Sequence, residues 1–379
     1  MVESGTKAAA IHCKSLLGER ELLFGLHELP GIGWKTIRKL IQGTSSLDQL
    51  LDIGSGASPA EELGLDEVKR EVLRRGFTSA SIRSRLAFYE ASGTQVVTVL
   101  DEAYPPLLKQ TAQPPWVLYA RGDIGLLQLP LLAMVGTRTP TAYGRKAAED
   151  LSAGLARRGF GVVSGLARGI DSTAHRGALL AGGATIAVLG TGIDVAYPPE
   201  NRALYAEIAA RGLVLSEYPA GTPSHPGMFP QRNRIIAGLS LGTVVIEAAV
   251  RSGSLITADQ ALEEARDVFA VPGPISSPKS QGALALIKQG AKLVTCAEDI
   301  IEEYSSIMPQ VPVQPASEAP PQLTDEENFV LQLIPLEGAT LDELQAVSKL
   351  QFGHLHSLLL HLLIKKQIRQ MPGSIYTLF

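Results

Sequence analysis

From Leu131 onward the chain's hydrophobic positions come in short runs, separated by stretches whose apolar residues recur at helical spacing. The runs are LLAMVG, GVVSG, TIAVLG, LVLSE, TVVIE, DVFAVPG and AKLVT. Apolar runs of this length predict strands buried on both faces, and their alternation with amphipathic stretches predicts successive β-α units. The expected fold class is α/β, with a Rossmann-like, mainly parallel sheet at its centre. Nearly every run ends in Gly, Ser, Glu or Pro. In an open parallel sheet all the carboxyl ends reach one rim, where ligands bind, so Gly136, Gly165, Gly190, Glu217, Glu247 and Gly273 are expected along one edge.

The first 130 residues read differently, as short helices joined by loops. Their most informative piece is LPGIGWKTIRKLI, Leu29 to Ile41, in which two glycines flank one apolar residue between helical patterns. The spacing fits the turn of a helix-hairpin-helix, whose exposed backbone N–H groups can meet a DNA phosphate; it also fits a plain tight turn between helices. After Ile307 the stretch MPQVPVQPASEAPPQ is Pro-rich and without apolar periodicity, which predicts a semi-rigid linker. Beyond it come a helix from Thr324, a second opened by Thr340 as N-cap, a third through GHLHSLLLHLLIKK and a ribbon IRQMPGSIYTLF. That order predicts a winged helix. The expected domains are an N-terminal helical domain at 1–100, a Rossmann-like domain at 101–304, a linker at 305–322 and a winged-helix domain at 323–379.

Charge narrows the function. The net charge of −4 argues against a binder that coats nucleic acid electrostatically, so any anion site must be local. Residues 131–299 hold 16 Lys and Arg against 14 Asp and Glu, whereas 312–379 hold 4 against 7. The middle of the chain is thus the least acidic part, and for the winged helix a protein-contacting or structural role stands beside DNA binding. The two cysteines, Cys13 and Cys296, encode neither a disulfide framework nor a zinc site, and of His354, His356 and His361 only the first and last share a helix face. No metal and no cofactor are expected. No apolar run approaches the ~18 residues of a membrane span and the N-terminus lacks a signal core, so a cytoplasmic protein with no membrane partner is expected.

Four loops at the expected rim carry anion chemistry. MVGTRTPTAYGRKAA sets Gly136, Thr137 and Arg138 just past a strand, with Tyr143, Gly144 and Arg145 leading into a helix. Glycine lets a phosphate approach the backbone, Thr137 offers a hydroxyl, and Arg138 can bind two phosphate oxygens. VSGLARGIDSTAH adds Gly165 and Arg168; its Asp171 is read as an N-cap, or with His175 as an acid-base pair for which no nucleophile is at hand. EAAVRSGSLITADQ adds Glu247, Arg251 and the turn Ser252-Gly253 at a helix start. PQRNRIIAGLS crowds Arg232, Asn233 and Arg234 onto another helix start, where unpaired amides favour an anion, with Phe229 beside them to stack on a base or to fill the core. The common nucleotide loops are missing: there is no G-x-x-x-x-G-K-[ST], and Gly190 and Gly192 lack the third glycine of the dinucleotide fingerprint. Four loops converging on one edge predict a polyanion pocket.

The segments VGTRTPTAYG, SGLARGIDSTAHRGAL, VLGTGIDVAYPPEN, FPQRNRIIAGLS, EAAVRSGSLITADQALEEARDVFAVPGP and GALALIKQGAKLV together resemble the DprA/Smf family of bacterial DNA-processing proteins over roughly residues 100–300. The flanking regions resemble the family's accessory domains through weaker motifs. The resemblance implies a non-catalytic protein that binds single-stranded DNA, protects incoming strands during natural transformation, loads the RecA recombinase on them, and forms a homodimer. It places phosphate-binding roles on Gly136, Thr137 and Arg138, carries the family's Arg-Asn-Arg segment to Arg232, Asn233 and Arg234, and sets Phe229 near the base-contacting position. Where some members carry a lysine close before that phenylalanine, this chain has Gly227 and Met228. The rival is a Rossmann-type nucleotide-handling enzyme, such as a phosphoribohydrolase, with Glu247 as its acid-base group.

Overall fold

The computed structural model describes residues 17–51, 63–306, 323–335, 338–365, 367–371 and 374–378. Its contacts divide the chain into two units, Met1–Gln310 and Val311–Phe379. The Pro-rich stretch 308–322, read as a linker, lies outside the described residues.

The first unit is organised by β1 (Gln95–Thr98), β2 (Val117–Gly122), β3 (Leu131–Val135), β4 (Gly161–Ser164), β5 (Thr185–Gly192), β6 (Leu213–Tyr218), β7 (Gly242–Val245), β8 (Asp267–Ala270) and β9 (Lys292–Leu293). They form one nine-stranded sheet in the order β1-β2-β6-β5-β4-β3-β7-β8-β9. From β3 to β9 every pairing is parallel. Each of the seven apolar runs has become one of these strands. The sheet grows outward from β3 through β4, β5 and β6, then restarts on the other side of β3 with β7. The strand order therefore reverses between β3 and β7, and the crevice above their carboxyl ends is where such sheets hold ligands.

Two strands depart from the expectation of helices and loops before Leu131. β1 and β2 pair antiparallel with each other, and β2 pairs antiparallel with β6. β1 is four residues long and half polar, so its strand state is decided by cross-strand pairing at the sheet's edge. The helices Glu19–His27, Trp34–Gly43, Glu67–Gly76 and Ser79–Ala91 precede them. Leu22, Leu23, Phe24 and Leu26 sit in the same hydrophobic cluster as Leu118, Tyr119 and Leu215 of the sheet. Phe24 meets Tyr89 and Tyr119 edge-on, with ring centroids 5.8 and 6.5 Å apart. A second cluster, with Leu151, Leu155, Phe160, Ile246 and Phe269, covers the opposite face.

In the second unit the helices Asp325–Leu333, Leu341–Ser348 and Phe352–Ile364 are followed by the ribbon β11 (Ile368–Met371) and β12 (Ile375–Leu378), with β10 (Ala339–Thr340) completing a three-stranded sheet. Thr324 with Glu327 and Thr340 with Glu343 form reciprocal capping boxes, which fix both helix starts. The unit is the winged helix that the sequence predicts. Among the described residues no helix is long and apolar enough to cross a membrane.

Candidate nucleic-acid interface

The carboxyl end of β3 turns sharply between its two neighbours. Thr137 N–H donates to the Glu247 carbonyl at 2.7 Å, and the Thr137 carbonyl accepts from Ile170 N–H at 3.2 Å. Gly169 makes this approach possible: its φ is +79° and a Cβ there would collide with the Thr137 carbonyl. Thr137 has thus committed its backbone to the fold, and what it offers a ligand is its side-chain hydroxyl. Arg138, next in the turn, is exposed. Among the described residues it has no carboxylate partner, and its guanidinium lies 6.0 Å from the centre of the Phe229 ring.

Phe229 stands in the first turn of the helix Met228–Leu239. It is half-buried, packs over Gly190 and pairs with Tyr197, ring centroids 5.3 Å apart at 35°. Tyr197 is 39% exposed. A free guanidinium beside a pair of partly open rings is the combination single-strand sites use, one group for phosphate and the others for bases. Tyr197 escaped the sequence reading, because AYPPEN has no periodicity to mark its aromatic as a surface group. So did Lys279, which donates to the Thr139 carbonyl and brings a further cation to the same turn. Arg145 reaches that turn from the helix side, donating to the Pro140 carbonyl at 2.9 Å.

The arginines expected to complete the pocket separate into two groups. Arg138 and Arg251 are exposed with no carboxylate partner among the described residues, and Ser252 caps the helix Gly253–Glu263 beside Arg251. The others are engaged. Arg168 pairs with Glu200 in an exposed ion pair, and Arg234 grips the Glu217 carboxylate at 2.5 and 2.6 Å while donating to the Gln113 carbonyl at 2.7 Å. Arg232 is buried, 5% exposed, and corrects the expectation of a phosphate-binding side chain. It donates to the carbonyls of Gly165, at 2.6 Å, and Val188, and through Nε to Asn233 Oδ1 at 3.1 Å. Burial pulls it down to about 10, with Asp171 opposing and Arg138 adding to the fall. Arg232 ties the end of β4 and the middle of β5 to the helix. Gly165 is the position at which this tie passes, since any Cβ would strike the guanidinium.

The candidate acid-base groups are likewise structural. Asp171 is the second residue of the helix Ile170–Leu180, not its cap; that position belongs to Gly169. Its carboxylate accepts from Gly165 N–H at 3.1 Å and Ala167 N–H at 3.3 Å. His175 is fully buried, with Nδ1 2.7 Å from Thr185 Oγ1 rather than on Asp171. Burial, Arg232 and Arg176 bring it down to about 3. Glu247, 3% exposed, accepts from Thr141 N–H at 2.9 Å and Thr141 Oγ1 at 2.6 Å, pinning the start of the helix Ala142–Arg157. The rim offers a ligand cations, a hydroxyl and rings.

Known proteins share this arrangement. A family model described as DNA recombination-mediator protein A matches residues 95–305, and one described as the DprA winged helix domain matches residues 314–374. Protein Smf of Synechocystis is 38% identical over 322 residues, spanning 76% of this chain and 81% of that protein. DNA processing protein DprA of Streptococcus pneumoniae is 48% identical over 207 residues, 55% of this chain and 73% of that one. The X-ray structure of DprA from Streptococcus pneumoniae superposes with a TM-score of 0.64 at 37% identity, covering 76% of this chain and 98% of that chain. A structure of DNA processing protein A from Helicobacter pylori, described in terms of its single-stranded DNA binding mode, superposes with a TM-score of 0.52 at 32% identity over 57% of this chain and 98% of that chain. Matched in both the sheet unit and the winged helix, and along most of its length by a relative, the chain belongs to the DprA/Smf family.

Proposed function

We propose that this protein is a single-stranded DNA-binding recombination mediator, that it grips the strand along the rim above β3, β4 and β7, and that it delivers the strand to the RecA recombinase. The observation that carries the reading is Arg138, exposed and free of carboxylates among the described residues, 6.0 Å from a Phe229 ring that is itself paired with Tyr197. Phosphate and base are met within one side chain's reach of each other. Gly136, Thr137, Arg251, Ser252 and Gly253 border the same rim, while Gly165, Arg232, Asn233 and Arg234 hold its shape. The family to which the chain belongs carries the mediator's name, and the Helicobacter pylori relative is described as binding single-stranded DNA. Protection of incoming strands, a homodimer and a cytoplasmic site of action belong to the same reading.

The test is a salt titration of binding to labelled oligo-dT and to a duplex of equal length, for the wild type and Arg138→Ala. The single strand is expected to bind more tightly, and the variant to bind more weakly with a log-log salt slope flatter by about 0.7 per lost phosphate contact. Duplex preference, or single-strand binding untouched by the substitution in a folded variant, overturns the rim. Delivery is read separately, as faster RecA filament growth on coated DNA, and the homodimer by sedimentation.

A further inference from the structure

Beside the rim, still within the first unit, the helical hairpin and the sheet enclose a cavity of about 800 Å³, a size that holds a small organic ligand. One wall is the hairpin, from Gly31 to Thr36; the other includes Trp116, Tyr218, Gln231, Arg234 and Gln260. Trp34 and Trp116 stack across it, centroids 5.6 Å apart at 23°. Both indole N–H groups are already used, Trp34 on the Pro114 carbonyl at 2.8 Å and Trp116 on the Trp34 carbonyl at 3.2 Å. The two rings are therefore held rigidly and present only apolar surface to the cavity. Arg38 lies 5.4 Å from the Trp34 ring, and Lys35 lines the cavity on the first turn of the helix Trp34–Gly43, which no side chain caps. Opposite, Gln260 also lines the cavity and is fixed there by its hydrogen bond to the Pro230 carbonyl at 3.2 Å.

We infer that this cavity is a second nucleotide subsite, taking one base of the same DNA strand against the Trp34–Trp116 pair with its phosphate near Lys35 and Arg38. The inference rests on the rim reading, and the helix Met228–Leu239 supplies the connection. Phe229 faces the rim, whereas Pro230, Gln231 and Arg234 of the same helix line the cavity. A strand crossing that first turn passes from one to the other. The base supplies the ring that the indoles stack on. Arg234 holds the Glu217 carboxylate and offsets its repulsion of the phosphate.

The chain contains two tryptophans, Trp34 and Trp116, so its tryptophan emission reports on this cavity alone. The experiment titrates the full chain with labelled oligo-dT of about 6 and about 14 nucleotides, within the range of single-strand site sizes, following anisotropy and tryptophan emission together. The short strand is expected to bind without altering the emission, and the long one to quench it. Trp34→Ala is expected to weaken the long strand roughly tenfold, the scale of one lost stacked base, and Lys35→Ala to flatten the long strand's salt slope by about 0.7, both leaving the short strand unchanged. If strands of both lengths raise the anisotropy while emission and its quenching by iodide stay constant, the cavity inference is overturned and the rim stands. If anisotropy does not rise for either strand, the rim reading fails first and the subsite with it.

Discussion

Arg232 Nη1 donates to the Gly165 carbonyl at 2.6 Å from beneath the rim, so the first arginine of the arginine-rich motif is buried in the floor of the site. Replacing Arg232 with Ala strips the donor from the Gly165 and Val188 carbonyls and leaves the Asp171 carboxylate buried without its neighbouring cation. Breaking a buried charge arrangement of this kind costs about 3–5 kcal/mol. Urea unfolding of Arg232→Ala is expected to show a loss of that size. Arg232→Lys is expected to recover little of it, because an ammonium cannot reproduce the planar fork. Gly165→Ala pushes a methyl into the guanidinium and is expected to cost about 1–3 kcal/mol. A variant that unfolds like the wild type yet loses DNA would return Arg232 to the ligand side.

Stability is expected to fall in mild acid. His175 donates Nδ1–H to Thr185 Oγ1, since that hydroxyl gives its own proton to the Val162 carbonyl, and burial beside Arg232 and Arg176 keeps the ring neutral. Burial, Arg232 and Arg176 bring His175 from 6.5 to about 3, and burial brings His27 from 6.5 to about 4. A folded value below the unfolded one means that the unfolded chain takes up protons first. The contribution of each histidine is intact above pH 6.5 and is lost as pH falls toward its folded value, by up to about 1.4 kcal/mol per pH unit. Burial raises Asp171 above 3.8, so its term has the opposite sign and acts only between 3.8 and its raised folded value. The urea midpoint is expected to hold steady above pH 7 and drop between 6.5 and 5, with a shallower drop in His27→Gln. A flat midpoint across that range contradicts the account.

The strands from β3 to β8 were legible because a strand buried on both faces has to be an apolar run, and a rim that admits ligands has to end such runs in small residues. β1 and β2 were not, since their state depends on partners far along the chain. At the site, residue type was legible and burial was not. Arg232 and Arg234 are two residues apart on a helix, roughly 200° around its axis, so they could not both face one ligand. The spacing carried that signal. Nothing in the spacing said which carboxylates would meet Arg168 and Arg234, because Glu200 and Glu217 come from other strands and loops. Tyr197 and Lys279 reach the rim from loops without periodicity, and only the fold brings them there.

The two kinds of contact at the rim are expected to separate by salt. Tyr197 carries no charge and adds ring surface beside Phe229, so Tyr197→Ala is expected to weaken oligo-dT binding by about 1–3 kcal/mol with an unchanged salt slope. Arg251→Ala is expected to flatten the slope by about 0.7, as a lost phosphate contact does. A Tyr197→Ala variant that changes the slope would mean that the ring positions Arg138 and does not itself meet a base.

Arg168 supplies the sharpest separation between a cation that is present and one that is available. It lies on the rim loop after β4, but its Nε is held by Glu200, both side chains remaining exposed. Exposed pairs of this sort are worth at most about 1 kcal/mol and weaken as salt rises. The pair is weak enough for a phosphate to compete for the guanidinium, and the nearby carboxylate opposes that phosphate. Glu200→Gln removes the competitor and the repulsion together while keeping the side chain's size. At low salt it is expected to tighten oligo-dT binding several-fold and to steepen the salt slope toward one further contact. Arg168→Ala, by contrast, removes a cation whose charge is already offset and is expected to cost less than Arg138→Ala. Equal losses from Arg168→Ala and Arg138→Ala, with no gain from Glu200→Gln, would show that the strand already displaces Glu200 and that Arg168 belongs with the free cations of the rim.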